Sequence, residues 1–173
     1  MKAEGIVGWF DILLVVPFVA VVLWTSRQEA GRAAFDAVAT LAAAHFSNAL
    51  TPAASFGFGF VEAAGDTSPT VHAVLFTLLF AFGLVCSWWL HRYTRWSLDV
   101  LDPLAGTAMG FIIAFTAGHA IVETGFAVVQ EHGARLPQYV QNSRVADELC
   151  HFRSYVYVLD VFEKYQRGGT FAD

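Results

Sequence analysis

Five ionisable residues lie in or near uncharged stretches of the chain, and their types allow chemistry: Asp11, Asp36, His45, His119 and Glu123. Charges in apolar stretches are costly, so such residues mark candidate functional sites. At about 1.5 Å per residue, His45 and His119 lie roughly 18 Å and 22 Å along their predicted helices. Glu123 follows His119 by one turn. We predict that Asp11, His45, His119 and Glu123 cluster near one surface, with Asp36 near the other.

Three kinds of chemistry fit this predicted cluster, beside a purely structural role. Titratable groups in succession allow a proton or ion relay. Two imidazoles on facing helices, His45 and His119, allow haem ligation. The pair His119 and Glu123 allows metal binding, but the sequence offers no third firm ligand. In the structural alternative, each group reaches an interface or bonds to a partner. The sequence favours this last alternative, so we expect no catalytic residue, no cofactor and no metal.

Composition and motifs argue against several classes of protein. A net charge of −5 provides no basic stripe for nucleic acid, so we expect no nucleic-acid partner. The two cysteines, Cys86 in an apolar stretch and Cys150 near the end, do not imply a disulfide framework. The sequence lacks a nucleophile elbow, a glycine-rich phosphate loop and a zinc-type cysteine pair. We therefore expect a protein that is not an enzyme.

The elements that must position these residues are four stretches without Asp, Glu, Lys or Arg: 12–26, 37–61, 67–91 and 103–122. A helix of about 20 apolar residues crosses a hydrocarbon layer roughly 30 Å thick. The chain is 56% hydrophobic and 14% charged, whereas soluble domains carry about 25% charged residues. The sequence predicts an all-α polytopic membrane protein, with the lipid bilayer as its solvent. Its domain over 1–130 has four transmembrane helices at about 6–25, 33–50, 71–90 and 104–129.

The connecting segments and the tail follow from their turn residues and periodicity. Pro52 is expected to end the second helix, and 51–70 is expected to be a loop. The polar tail over 131–173 is predicted to contain an amphipathic helix at about 142–166, since apolar residues recur there every three or four positions. This helix is expected to lie on the bilayer or against the helical bundle.

The positions of arginine residues predict the orientation in the membrane. Basic residues near membrane segments prefer the cytoplasm. Arg27 and Arg32 follow the first helix, Arg92 and Arg95 follow the third, and the link between the second and third helices has neither Lys nor Arg. We therefore predict that both termini lie outside the cytoplasm.

Gly106, Gly110, Ala114 and Gly118 stand four residues apart and predict a ridge of small side chains on the fourth helix. A neighbouring helix can approach such a ridge closely and gain dispersion contacts. The alanine-rich second helix is the expected neighbour. Alternatively, the ridge joins two copies in a homo-oligomer, and either the ridge or the tail helix contacts other membrane proteins.

Two short stretches resemble the CvpA family, small bacterial inner-membrane proteins named for colicin V production. These are Trp9-Phe10-Asp11 and the Leu-Asp-Pro-Leu-Ala-Gly-Thr-Ala-Met-Gly segment at 101–110. The order of four hydrophobic segments also agrees, over about 8–125. The sequence departs from the family pattern at Gly31 and Arg32, where the usual Arg-Gly order is reversed. The resemblance implies a multi-pass protein of the bacterial inner (plasma) membrane. Its role would be toxin export or envelope homeostasis through protein–protein contacts.

Two further functions stay open from the residues alone. The chain suits an accessory subunit of a larger energy-converting membrane complex, which would dock by the ridge beginning at Gly106 and by the tail helix. It also suits a small transporter or channel that uses the predicted polar cluster.

Overall fold

All regular secondary structure in the described part of the chain is helical, which confirms the predicted all-α class. The computed structural model describes residues 8–60, 67–131, 133 and 135–151. The helices are α1 Trp9–Thr25, α2 Ala30–Gly57, α3 Pro69–Thr94, α4 Asp102–Glu131, α5 Gln138–Gln141 and α6 Arg144–His151. A single 3₁₀ turn, Asp99–Leu101, leads into α4.

The four long helices alternate in direction, so their ends meet at two poles. At one pole, which we call the arginine end, the link after α1 contacts the link between α3 and α4, as in the hydrogen bond from Ala30 N to Asp102. At the opposite pole, which we call the tail end, the end of α2 meets the start of α3, and α6 packs against α1 and α4. The bundle pairs α2 with α3, α1 with α4, and α2 with α4.

Small side chains are common in the interior of the bundle, beside a few large ones such as Phe76 and Ile113, whereas many large apolar side chains face outward. The largest fully buried side chains all lie on α2 and all carry hydroxyls: Thr40, Ser47, Thr51 and Ser55. Exposed large apolar residues occur on every long helix and include Leu13, Val16, Leu41, Leu78, Phe82, Val85, Leu104 and Ile121. Soluble proteins bury such residues preferentially. The outer surface therefore suits an apolar solvent.

Two helical segments of the described chain are long and apolar enough to cross a membrane: Pro69–Thr94 and Asp99–Glu131. In their most apolar windows only 11% and 28% of the residues are buried inside the protein. A core helix of a soluble protein would be mostly buried, so this exposure favours lipid contact. Helix α1 is also apolar, but it has only 17 residues.

The prediction that Pro52 ends the second helix is wrong, because Pro52 lies inside α2, which continues to Gly57. Proline deprives a helix of one backbone hydrogen bond, and tertiary contacts outweigh that loss here. The last two turns of α2 bury Thr51 and Ser55. The Ser55 hydroxyl also accepts a hydrogen bond from Ser68 N at 3.0 Å, next to the start of α3. The stretch 51–70 is thus helical at both of its ends rather than wholly a loop.

The remaining boundaries differ from the predictions by several residues. Helix α3 continues four residues past the predicted end at 90, and α4 begins two residues before the predicted 104. Helix α6 lies within the predicted tail helix and packs against the bundle, which is one of the two expected positions. The rest of that prediction, 152–166, and the predicted start of the first helix at 6–7 lie outside the described residues.

Candidate functional site

A polar cavity of about 180 Å³ opens at the tail end between α2, α3 and α4. We call it the tail-end cavity. Its lining combines a histidine and a carboxylate with hydroxyl and amide groups: Asn48, Thr51, Thr67, Ser68, His72, Glu123 and Thr124. Such a lining provides titratable groups and hydrogen-bond partners in a bundle whose outer surface is apolar.

His72 connects two helices to the wall of this cavity. Its Nε2 lies 3.2 Å from the buried Ser47 hydroxyl of α2, and its Nδ1 lies 2.8 Å from the Thr124 hydroxyl of α4. A hydroxyl group both donates and accepts hydrogen bonds, so either tautomer of the ring is satisfied. The imidazole is therefore held in place without a fixed position for its proton, which is a property that a proton relay requires.

His119 and Glu123 form an ion pair on α4, with 3.0 Å between Nε2 and Oε2. The Nδ1 atom of His119 lies 2.7 Å from the carbonyl oxygen of Leu149. A carbonyl oxygen only accepts, so Nδ1 carries a proton and donates it. A hydrogen bond between Nε2 and Glu123 then requires a second proton, on either the imidazole or the carboxyl group. Glu123 thus links this pair to the tail-end cavity that it also lines.

The structure brings together only part of the predicted polar cluster. His119 and Glu123 pair directly, and Asp11 contacts the same tail helix that His119 contacts. His45 instead lies on an exposed face of α2, where its ring makes an edge contact with Phe46 at 5.7 Å between centroids. Both ring nitrogens of His119 are already engaged, which does not suit haem ligation by His45 and His119. The described residues hold no group of three or more His, Cys, Asp or Glu suited to a metal ion.

Asp11 anchors the tail helix to the start of α1. Its Oδ1 accepts hydrogen bonds from the Ser143 hydroxyl at 2.5 Å and from Val145 N at 3.2 Å. The Ser143 hydroxyl in turn accepts from Ala146 N at 3.0 Å. The first N–H groups of a helix have no partner within the helix, and these two acceptors satisfy them at α6. Asp11 therefore has a structural role at the tail end.

The glycine ridge of α4 is covered by other parts of the same chain. A side chain at Gly106 would lie 3.0 Å from the Cα of Ser26, and one at Gly110 would lie 2.9 Å from the Cα of Val22. Gly118 faces the side chain of Leu149 in α6, at 3.2 Å. The expectation that α2 is the neighbour of these glycines is wrong, because α1 and α6 occupy the positions closest to them. Ala114 is buried within the same helix.

Asp36 lies at the arginine end, at the opposite pole from His119 and Glu123. It is only 5% exposed, and its carboxylate accepts hydrogen bonds from the Ser87 hydroxyl of α3 and from Nε of Arg32 at 3.1 Å. This carboxylate joins α2 to α3. The hydrogen bonds from Arg32 and Ser87 give Asp36 a structural role at this pole.

Sequence reasoning missed His72 and Thr124, which line the tail-end cavity, and Ser47, which contacts His72. A signal existed, since His72 interrupts an apolar stretch as His45 does. The hydroxyl residues of α2 also recur with helical spacing, at Thr40, Ser47, Thr51 and Ser55. Which of several histidines in apolar helices faces a neighbouring helix depends on helix rotation, and the apolar pattern does not fix that rotation when both faces are apolar.

Cys150 lies beside this region on α6, half-buried. Burial raises the pKa of its thiol, and the negative charges of Glu123 and Asp147 raise it further. A raised pKa leaves less thiolate at neutral pH, and the thiolate is the reactive form. The Cys150 thiol is therefore a poor nucleophile in this environment.

Comparison of the chain with protein-family models, with curated proteins and with solved structures found no match. None of the three comparisons identifies the CvpA family, so that resemblance stays a prediction.

Proposed function

We propose that this chain is an integral protein of a bacterial inner membrane, crossed by α1 to α4, that acts without catalysis through contacts with other membrane proteins. The resemblance to the CvpA family suggests a role in toxin export or envelope homeostasis. The observation that carries the membrane assignment is the inverted distribution of side chains. Hydroxyl-bearing residues and alanines make up much of the interior, beside a few large residues such as Phe76 and Ile113, and many large apolar residues are exposed on all four long helices.

The lengths of α2, α3 and α4 allow crossings, whereas α1 is about 5 Å short of the hydrocarbon thickness. Local thinning of the bilayer accommodates a short crossing helix at a modest cost. At about 1.5 Å per residue, the 17 residues of α1 extend about 25 Å and the 28 of α2 about 42 Å, beside a hydrocarbon layer roughly 30 Å thick. Helix α2 has the fewest bulky residues and packs against both α3 and α4. A crossing helix that is surrounded by protein needs less apolar surface than one in lipid.

We expect partner proteins to contact the exposed faces of the long helices rather than the glycine ridge of α4. Along α3, the exposed residues Val74, Leu78, Phe82, Val85 and Trp89 form one stripe at spacings of three and four. Such a stripe suits contact either with lipid or with a helix of another protein. Since α1 and α6 cover the glycines of α4, a partner that used the ridge would first have to displace them.

Fractionation and purification test this proposal in two steps. After cell breakage without detergent, the full-length protein should sediment with membranes and resist extraction at alkaline pH. Affinity purification in mild detergent, followed by mass spectrometry, should then recover envelope proteins in defined ratio, or the protein alone as a small oligomer. Recovery in the supernatant rejects the membrane assignment. Consistent recovery of large energy-converting subunits supports the accessory-subunit alternative instead.

A second candidate function, proton relay, is favoured by one observation, the tail-end cavity. It holds His72 in hydrogen bonds to two helices and borders Glu123, which pairs with His119. These groups could pass a proton between the tail-end surface and the interior of the bundle. The relay would require acceptors farther along α2, where Thr40 and Asp36 continue the row of buried polar residues.

Proton flux into vesicles tests the second candidate. Purified protein reconstituted with a trapped pH-sensitive dye should dissipate an imposed pH gradient faster than empty vesicles. Glu123→Gln and His72→Gln should abolish the difference, whereas His45→Gln should retain it, because His45 lies on an exposed face of α2. Equal rates for the unmodified protein and empty vesicles would reject the relay.

A further inference from the structure

A pocket of about 670 Å³ opens at the arginine end, beside the last turns of α3. We call it the arginine-end pocket. Its walls carry charges of both signs, from the guanidinium groups of Arg32, Arg92 and Arg95 and from the carboxylates of Glu29 and Asp99. The exposed indole of Trp88 also lines it. Tryptophan is enriched at the headgroup level of membranes, so the pocket lies where headgroups are found.

Two of the three guanidinium groups have no carboxylate partner within the described part of the chain. The Nε of Arg32 forms a salt bridge with the carboxylate of Asp36, whose negative charge balances that of the guanidinium group. Arg92 lies over the Trp88 ring, with 5.8 Å between its Cζ and the ring centroid. No ion pair between a described carboxylate and either Arg92 or Arg95 occurs in the structure. The pocket therefore offers two cationic groups to an anion.

The two carboxylates of the pocket, those of Glu29 and Asp99, also have few hydrogen-bond partners among the described residues. Glu29 lies 3.2 Å from Nε2 of His91, while Nδ1 of His91 is buried and has no hydrogen-bond partner among the described residues. A bare Nδ1 is less costly than an N–H without an acceptor, so Nε2 carries the proton that Glu29 accepts. The Asp99 carboxylate has only a long 3.5 Å contact with the Ser97 hydroxyl. Both carboxylates remain available to a cation.

The backbone fixes the position of one of these arginines. Arg95 ends α3 in the left-handed conformation, with φ of 44° and ψ of 41°. Glycine usually occupies this position at a helix end, because a side chain there is disfavoured. The N–H of Arg95 donates to the carbonyl of His91 at 2.9 Å, which closes the last turn. The fold thus keeps a long cationic side chain at the corner where the pocket opens.

We propose that the arginine-end pocket binds the headgroup of a phospholipid that carries both a phosphate and a primary ammonium group. Arg92 and Arg95 donate to the phosphate oxygens, and Glu29 and Asp99 accept hydrogen bonds from the ammonium. Charge-assisted hydrogen bonds of this kind are stronger than neutral ones, and basic pockets beside membrane helices bind lipid headgroups. The presence of two carboxylates favours a zwitterionic headgroup over a purely anionic one. This inference rests on the proposed membrane location.

Titration of delipidated protein with single lipids, read by native mass spectrometry, tests the inference in detergent. The probes are dioleoyl phosphatidylethanolamine, phosphatidylcholine and phosphatidylglycerol, with inorganic phosphate as a separate competitor. Phosphatidylethanolamine should bind at one site, roughly tenfold tighter than phosphatidylcholine, whose ammonium has no N–H groups to donate. Millimolar inorganic phosphate should not displace it.

Variants assign the site to named residues. The double substitution Arg92→Gln and Arg95→Gln should weaken phosphatidylethanolamine binding about tenfold or more, because it removes both phosphate donors. Asp99→Asn should reduce the preference for phosphatidylethanolamine over phosphatidylglycerol, and asparagine tolerates the positive φ of 54° at this position. Arg27→Gln is the matched control. It removes an exposed arginine of the same pole that does not line the pocket.

Several results would overturn the inference. These are equal binding of phosphatidylethanolamine and phosphatidylglycerol, unchanged binding by the double arginine variant, or an equal loss in Arg27→Gln. Displacement by inorganic phosphate would identify a free anion, rather than a lipid, as the ligand. Recovery of the protein in the soluble fraction would contradict the membrane proposal itself. That result is distinguishable from a membrane protein that lacks the predicted lipid preference.

Discussion

Single aspartates hold the ends of the helices together. At the arginine end, Asp102 accepts hydrogen bonds from Ala30 N at 2.9 Å, from Leu98 N at 2.8 Å and from the Ser97 hydroxyl at 2.6 Å. It thereby joins the link after α1 to the link before α4. Asp11 has the corresponding role at the tail end. Both aspartates belong to the stretches that resemble the CvpA family, and both serve here as acceptors for unpaired helix N–H groups.

The buried carboxylate of Asp36 is expected to stabilise the fold. Asp36→Asn removes the charge that Arg32 and Ser87 face, so the free energy of unfolding in detergent should fall by about 2–4 kcal/mol. Thermal unfolding followed by circular dichroism measures the loss. Asp99→Asn, at an exposed position, should change stability by less than about 0.5 kcal/mol. Equal effects of the two substitutions would show that Asp36 is not a structural anchor.

The close contact of α1 with α4 is expected to depend on the absence of a side chain at Gly110. A Cβ at Gly110 would lie 2.9 Å from the Cα of Val22, and that backbone atom cannot move aside independently. Gly110→Ala should therefore separate the two helices and lower the midpoint of thermal unfolding. Gly125→Ala is the matched control on the same helix, since nothing lies within 4 Å of the added methyl group. It should leave the midpoint unchanged or raise it, because alanine favours a helix by about 1 kcal/mol over glycine. A lower midpoint for both would assign the effect to helix geometry rather than to contact.

At the scale of elements, the tail helix α6 is a docked part of the bundle. Its Leu149 packs against Gly118 and Val122 of α4, and its Ala146 is buried in the same cluster. Its polar attachments are the hydrogen bonds to Asp11 and from His119. These contacts hold the described part of α6, Arg144–His151, against the bundle.

Removal of the Asp11 carboxylate should undock this helix. In Asp11→Ala, the amide of Val145 loses its acceptor. The Ser143 hydroxyl, which accepts from the amide of Ala146, loses the carboxylate that holds it in place. Hydrogen exchange across 144–151 should therefore accelerate about tenfold or more. Exchange in α2 should stay unchanged. Mass spectrometry of peptides from exchanged protein gives the measurement, with Asp99→Asn as the control. Unchanged exchange over 144–151 would mean that apolar contacts alone hold α6.

Element existence could be predicted from the sequence, but element ends and pairings could not. Uncharged stretches mark four helices because no charge interrupts them. Pro52 misled the prediction for α2, since buried Thr51 and Ser55 stabilise the turns beyond it. The ridge at Gly106 and Gly110 marked a close helix contact correctly, but spacing on one helix does not identify the neighbour. His72 was missed for the same reason, because its significance depends on contacts with α2 and α4.

For the whole molecule, the alternation of the four helices predicts which surfaces lie on the same side of the membrane. The arginine end contains Arg27, Arg32, Arg92 and Arg95, so it should face the cytoplasm. Single-cysteine variants test this in spheroplasts with a membrane-impermeant maleimide. Phe58→Cys, at the opposite pole, should react in intact spheroplasts, and Val100→Cys, at an exposed position of the arginine end, only after lysis. The reverse pattern would invert the orientation, and equal labelling would argue against a four-helix crossing.

A variant that keeps Cys86 as its single cysteine provides a control for the same experiment. The Cys86 side chain is exposed on the outer face of α3, which in the proposed membrane location is surrounded by lipid. A thiol in hydrocarbon should not react with a hydrophilic maleimide, either before or after lysis, but should react once detergent denatures the protein. Rapid labelling of Cys86 in intact membranes would place α3 in water.

The hydroxyl-rich interior of α2 has a thermal consequence. Unfolding a soluble domain exposes buried hydrocarbon to water and raises the heat capacity, which makes stability strongly curved with temperature. Here many of the groups that separation of the helices would uncover are threonine and serine side chains and alanine methyls, beside a few large apolar residues such as Phe76 and Ile113. Calorimetry in detergent should accordingly show a heat-capacity increment on unfolding that is small for a protein of this size. The free energy of unfolding should then change little between low and high growth temperatures.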